Sequence, residues 1–142
     1  MKRQKGFALI EFLVVIAVLV ILLGIGIMNW TKIKARKELN NAALTMYTDL
    51  RRCQVMAITT GRCELDVPNY QHATDYTIRA GNFTLTRQFD RQIYANCNFG
   101  NLTFERLGTI KALNNAKCSL FHALLSTSKD ITFNSIGRIT LK

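Results

Sequence analysis

From Phe12 to Thr31 the chain runs for 20 residues without a charged side chain, and Leu, Ile and Val dominate the stretch. Wound as an α-helix, such a run is about 30 Å long, enough to cross the hydrocarbon core of a bilayer. Lys2, Arg3 and Lys5 precede it, and clustered positive charge directs that flank to the cytoplasm. The rest of the chain is then expected on the opposite side. A cleaved secretory signal has a shorter apolar core and ends at a small-x-small site. Here the run leads into Asn29, Trp30, Thr31 and Lys32, so cleavage behind it is not expected. Glu11 is the anomaly. A carboxylate at the mouth of such a segment costs roughly 2.5–3.5 kcal/mol on insertion scales unless a partner compensates it.

Helical patterning continues past the apolar run. Lys32 to Thr59 contains neither Pro nor Gly, and Ile33, Leu39, Ala43, Met46, Leu50, Cys53 and Ala57 recur mostly at three- and four-residue steps. That spacing predicts one buried stripe on an amphipathic helix. Lys34, Lys37, Asn41, Asp49 and Arg52 are expected around the rest of its circumference, and Thr60-Gly61 supplies the stop. The expected organisation is a basic leader over 1–6, an apolar helical half over 7–31, an amphipathic half over 32–60 and a β-rich head over 61–142.

The head carries β signals. Glu64 to Val67 reads as a strand ended by Pro68. Asp75–Arg79 and Phe83–Arg87 alternate apolar and polar residues about Ala80-Gly81-Asn82, the pattern of a hairpin. Two later segments are alike: LTFERLGTI (102–110) and ITFNSIGRI (131–139). Each fits a strand, a tight turn with Gly at positive φ, and a return strand. Between them a loop is expected over 113–117. SLFHALL (119–125) reads as either a strand or a short helix.

The formal charge is +10, from 19 basic and 9 acidic residues. Without the three leader cations it is 16 minus 9, or +7, which suits a positive flank beside a membrane and also attracts phosphate. Cys53, Cys63, Cys97 and Cys118 form no CxxC pair and have no His at zinc-ligand spacing, so no metal and no cofactor is expected. Outside the cytoplasm an even cysteine count suggests disulfides. Of three possible connectivities, Cys97 with Cys118 is favoured because both fall in the β-rich half. Cys53 with Cys63 is the second bridge, against the alternative of two buried thiols. His72 and His122 are the only histidines. His122, between Phe121 and Ala123, reads as a core residue, and no nucleophile elbow, phosphate loop or zincin motif accompanies either. A signal-anchored periplasmic enzyme is therefore the weakest function class.

Lys5-Gly6-Phe7-Ala8-Leu9-Ile10-Glu11-Phe12 closely resembles the processing site of type IV pilins and type II secretion pseudopilins. It departs from the family's pattern at Ala8, where Thr is usual, and at Phe12, where Leu is usual. The resemblance implies cleavage between Gly6 and Phe7 by a membrane prepilin peptidase, and N-methylation of the new amine on Phe7. It assigns Glu11 to assembly: the carboxylate pairs with the α-amine of a neighbouring subunit, since two ions in an apolar phase are tolerable only together. Asp49-Leu-Arg-Arg-Cys-Gln-Val-Met-Ala-Ile58 and the closing ITFNSIGRITLK are similar to the spine helix and terminal hairpin of the GspH/FimT group of minor pilins.

What this resemblance implies is an α+β fold, a long N-terminal helix packed on an antiparallel β-sheet domain. The protein would be a non-catalytic minor pilin or pseudopilin in a type IV pilus or type II secretion pseudopilus. Its partners would be other pilins, the peptidase/methyltransferase and the bacterial inner membrane, with the head in the periplasm and later in a filament. One branch of the group binds DNA for natural transformation through a Gly-Arg-x-Arg tract. Here Gly137-Arg138-Ile139-Thr140 keeps the first arginine and loses the second. Lys142 is the substitute considered for it, and Arg106 and Lys111 in the similar hairpin are expected to join one patch. Arg138 as a solvated turn residue is the plainer reading.

Overall fold

The computed structural model describes residues 5–111 and 115–142, without the side chains of 5–8 and 25–29 within the helix. Among the described residues there is one helix, α1 (Lys5–Thr60), followed by eight strands. These are β1 (Arg62–Asp66), β2 (Asp75–Ala80), β3 (Phe83–Gln88), β4 (Ile93–Cys97), β5 (Asn101–Glu105), β6 (Ala116–His122), β7 (Ser128–Phe133) and β8 (Ile139–Leu141). The chain divides into two compact units, Met1–Lys34 and Ala35–Lys142, and α1 contributes to both. The fold is α+β with all strand pairs antiparallel.

In the first unit the described side chains are those of a helix that is apolar all round. Large aliphatics from Leu9 to Leu23 are exposed in every direction. Such a surface has no single face to bury and needs an apolar environment on all sides.

The second unit is built on the stripe. Ala35, Leu39, Ala43, Met46, Leu50, Cys53 and Ala57 are buried, at steps of three and four residues that keep them on one side of the helix. Ile33 departs from the expected stripe: it is 59% exposed and belongs to the other unit. Asp49, expected on the solvent side, is only 6% exposed. The helix stops where a positive φ is required. Gly61 adopts φ 93° and its N–H donates to Ala57 O at 2.8 Å, an αL cap that glycine enters without a Cβ penalty.

The strands form two four-stranded sheets, ordered β3-β2-β1-β5 and β4-β6-β7-β8. Tyr76, Ile78, Leu65, Leu102 and Phe104 of the first and Leu120, Ile131, Phe133 and Ile139 of the second join the helix stripe in one core. The β2–β3 hairpin forms as its alternation predicts, with Ala80 facing Phe83. The ambiguous SLFHALL segment resolves as strand up to His122 and then turns at Ala123 and Leu124; β6 begins at Ala116, so Ala116 and Lys117 are ladder residues rather than loop. Of the expected loop, 113–114 lie outside the described residues. The structure pairs Cys53 with Cys63 and Cys97 with Cys118, at Cα separations of 5.6 and 4.0 Å. The first ties the end of α1 to β1, and the second links directly opposed residues of β4 and β6.

Candidate processing and assembly site

The N-terminal site is linear. Gly6 and Phe7 fall within the first turns of α1, and their side chains lie outside the described set. Glu11 follows in the same helix as an exposed residue among exposed aliphatics, with Leu9, Ile10, Phe12 and Leu13 around it. Four residues separate Phe7 from Glu11, one turn of helix. An α-amine on Phe7 would sit at the helix's own N-terminus, where the first N–H groups point outward along the axis. A carboxylate one turn along does not lie in line with them, so an amine from another chain matches it better. Among the described residues no helix is long and apolar enough to cross a membrane. The apolar side chains described here run over 9–24, short of the about 20 residues a span needs. The span expected over 7–31 extends at both ends into side chains outside that set.

The head holds two buried polar clusters. The Asp49 carboxylate accepts from Tyr76 Oη at 2.8 Å and from Arg87 Nε at 3.1 Å. Burial, then the hydrogen bond to Asp49, raises the Tyr76 pKa well above the usual phenol range. Asp49 is thereby satisfied and binds α1 to β2 and β3. His122, 2% exposed, is the second. Its Nδ1 accepts from Leu124 N at 3.1 Å, which places the ring proton on Nε2, 3.3 Å from Glu38 Oε2. The imidazole thus anchors β6 to α1 as a core histidine. His72 stacks on Tyr94 at 4.3 Å, and Tyr94 stacks on Phe121. Among the described residues no group of His, Cys, Asp or Glu is arranged to hold a metal.

The two similar segments adopt one turn geometry and come together. In the first, Gly108 N donates to Glu105 O and Glu105 N to Thr109 O; in the second, Gly137 N donates to Asn134 O and Asn134 N to Arg138 O. Gly108 and Gly137 take φ values of 72° and 84°. Gln54 on α1 clasps both: its Nε2 donates to Gly108 O at 3.0 Å and to Gly137 O at 2.9 Å. Ile110 N also donates across to Ser135 O at 3.1 Å. A Cβ on Gly137 would collide with Gly108 O and come within 2.8 Å of Gln54 Nε2, so glycine is needed there for space as well as for φ.

This contact decides the fate of the expected basic patch. Arg106 and Lys111 line one shallow hollow together with Arg62. Arg138 is exposed on the adjoining turn. Lys142 does not join them. Its backbone pairs with Asp130 at the far end of the β7–β8 hairpin, four residues of extended chain, or roughly 13 Å, from Arg138. The hollow also contains Glu105, and Arg62 is ion-paired with Glu64. Gln54 was not anticipated as a key residue. The cue in the sequence was the repeated turn itself, which implies a shared contact without saying which residue makes it.

Residues 1–27 match the family model for the prokaryotic N-terminal methylation motif. Two crystal structures of the type IV minor pilin FimU from Pseudomonas aeruginosa (strain PAO1) share the fold. The form in space group P21 aligns with TM-score 0.65 at 16% identity, covering 75% of this chain and 90% of that one. The P65 form aligns with TM-score 0.62 at 14% identity, covering 73% and 92%. The chain carries the N-terminal methylation motif and shares the FimU fold. No curated protein matches the sequence. The motif accounts for the pilin-like N-terminus, and the FimU likeness accounts for the α+β head. Sequence divergence at that level leaves the head's surface free to differ.

Proposed function

We propose that this pilin-like chain is a non-catalytic filament subunit of a type IV pilus or a type II secretion pseudopilus. It is held in the bacterial inner membrane by residues 7–31 with its head in the periplasm. Prepilin peptidase cuts between Gly6 and Phe7, and the same machinery methylates the Phe7 amine. Cleavage removes Lys2, Arg3 and Lys5 and leaves a cation that Glu11 of an adjacent subunit can neutralise. The observation that carries this reading is the methylation motif over 1–27, set on a helix apolar on every described side with one carboxylate among its aliphatics. N-terminal sequencing of membrane-extracted protein tests it. A start at methylated Phe7 is expected, and an intact Met1 start would instead fit an anchored enzyme.

A second reading, DNA capture for uptake, draws on Arg106, Lys111 and Arg62 lining one hollow beside the Arg138 turn. Phosphate contacts of this kind weaken steeply with salt. Retention of DNA by the full chain that falls on raising salt, and that is lost in Arg106→Ala/Arg138→Ala, is the expected signature. Retention insensitive to both would remove this reading.

A further inference from the structure

The clasped turns present more than charge. Leu107 and Ile136 hold equivalent places in the two turns, one residue before Gly108 and Gly137. They are 86% and 71% exposed. Beside them stand Arg106, Lys111 and Arg138, all exposed, and no ion pair is found for these three among the described residues. The turns that carry them are rigidly held by Gln54, by the Ile110–Ser135 bond and by the close approach of Gly137 to Gly108. Arg51 adds a strut, with Nη1 on Gln54 Oε1 at 3.1 Å and Nη2 on Ile139 O at 3.4 Å.

Exposed aliphatics at the tips of fixed turns cost solvation without any return in the isolated head. A pre-ordered surface of this kind loses little side-chain and loop freedom when a partner covers it. Its composition, aliphatic knobs beside three cations that outnumber the one nearby carboxylate, Glu105, matches the anatomy of a protein interface with an apolar centre and polar rim. The charge defines what can cover it. A second copy placed on the same patch would set Arg106, Lys111 and Arg138 against themselves, and like charges across an interface are strongly unfavourable. A nucleic acid satisfies the cations but gains nothing from Leu107 and Ile136.

We infer that the paired turns are a docking surface for an acidic protein segment that also carries aliphatic side chains, presented by a different subunit. Leu107 and Ile136 supply the apolar contact, and Arg106, Lys111 and Arg138 select for the negative partner. The surface lies entirely on the head and does not depend on leader cleavage or on Glu11.

The test uses the full chain in detergent and fluorescence anisotropy with four labelled probes. These are a peptide alternating glutamate with leucine, the same peptide with serine for leucine, a lysine–leucine peptide, and duplex DNA. The expected result is binding of the glutamate–leucine peptide, at least tenfold tighter than the other three. Leu107→Ser/Ile136→Ser and, separately, Arg106→Glu/Arg138→Glu should each weaken it at least tenfold, with far-UV circular dichroism unchanged. Gln54→Ala keeps every contact residue and removes the clasp, so a weaker intermediate affinity is expected from it. Equal binding of the serine peptide, or of DNA that ignores the loss of Leu107 and Ile136, would overturn the inference in favour of a plain cationic surface. Self-association abolished by the same variants would overturn it in favour of a second copy. Absence of peptide binding would overturn it outright.

Discussion

Residues 9–24 and residues 35–57 belong to one helix, yet they present opposite surfaces. The first is aliphatic and exposed around its whole circumference; the second buries a single stripe from Ala35 to Ala57 and leaves the rest largely polar, Leu44 and Val55 excepted. Backbone hydrogen bonding is satisfied within the helix in both. The angular spread of apolar side chains therefore sets what each half can pack against. An all-round apolar surface suits lipid or a bundle of like helices, and a stripe suits one sheeted core. On the function proposed above, assembly and folding fall to separate lengths of a single element, and mutations should separate them cleanly.

The strongest way to break this division is Glu11→Gln. It removes the charge from the apolar half and leaves every residue of the head unchanged. Incorporation into sheared filaments, read by immunoblot against total protein, should fall at least about tenfold, since each 1.4 kcal/mol is a factor of ten and the unpaired partner charge costs more than that. Thermal unfolding of the head should not move. Normal incorporation of the glutamine variant would refute the role proposed for Glu11.

Leu50→Ala is the reciprocal probe. Leu50 is fully buried in the stripe, and truncation of such a residue costs about 2–5 kcal/mol. For a head of this size that lowers Tm by roughly 10 °C or more, followed by near-ultraviolet circular dichroism. Leu19→Ala, in the apolar half, should leave Tm where it was. A comparable shift from both would mean that the two halves are not energetically distinct.

The two halves were legible in the sequence because periodicity is local: the run from Phe12 to Thr31 and the stripe from Leu39 to Ala57 need no knowledge of the partner. So were the β2–β3 hairpin and the repeated turn, each marked by alternation about a glycine. Ile33 was misassigned because spacing alone does not say where the buried half begins. β4 was missed since Ala95 and Asn96 favour strands weakly, and its alternation shows only once β6 lies beside it. Asp49 and Gln54 were beyond reach for a related reason. Their partners are 27 to 83 residues away, and a polar residue on a helix reads as solvent-facing until the fold supplies Tyr76, Arg87 and the two glycine carbonyls.

Gly137→Ala against Gly61→Ala sharpens the comparison within the head. Both positions hold positive φ, so each alanine carries a backbone penalty of about 1–2 kcal/mol. At Gly61 an added Cβ meets nothing within 4 Å, whereas at Gly137 it strikes Gly108 O and Gln54. The Gly137 variant should be the less stable of the two in chemical denaturation, and Gln54→Ala should relieve part of the difference. Equal costs would show that the clasp contributes little.

The smallest expected effect concerns a second carboxylate whose setting is the reverse of Glu11's. Asp130 receives Lys117 Nζ at 2.8 Å across β6 and β7, and that hydrogen bond, partly opposed by burial, holds its pKa below the ordinary carboxylate value. A depressed folded pKa means the stabilisation is present above the unfolded value, about 3.9, and is lost as pH falls through the lower folded one. Asp130→Asn should therefore flatten the acid limb of the stability curve below about pH 4. Because both side chains reach solvent, the cost near neutral pH should stay under about 1 kcal/mol and shrink further in 1 M salt. A carboxylate with water and a lysine beside it tolerates loss of its charge, while Glu11, on the proposed assembly, needs another chain to supply the cation. If Asp130→Asn proved as damaging as Glu11→Gln, solvation would not be what distinguishes the two sites.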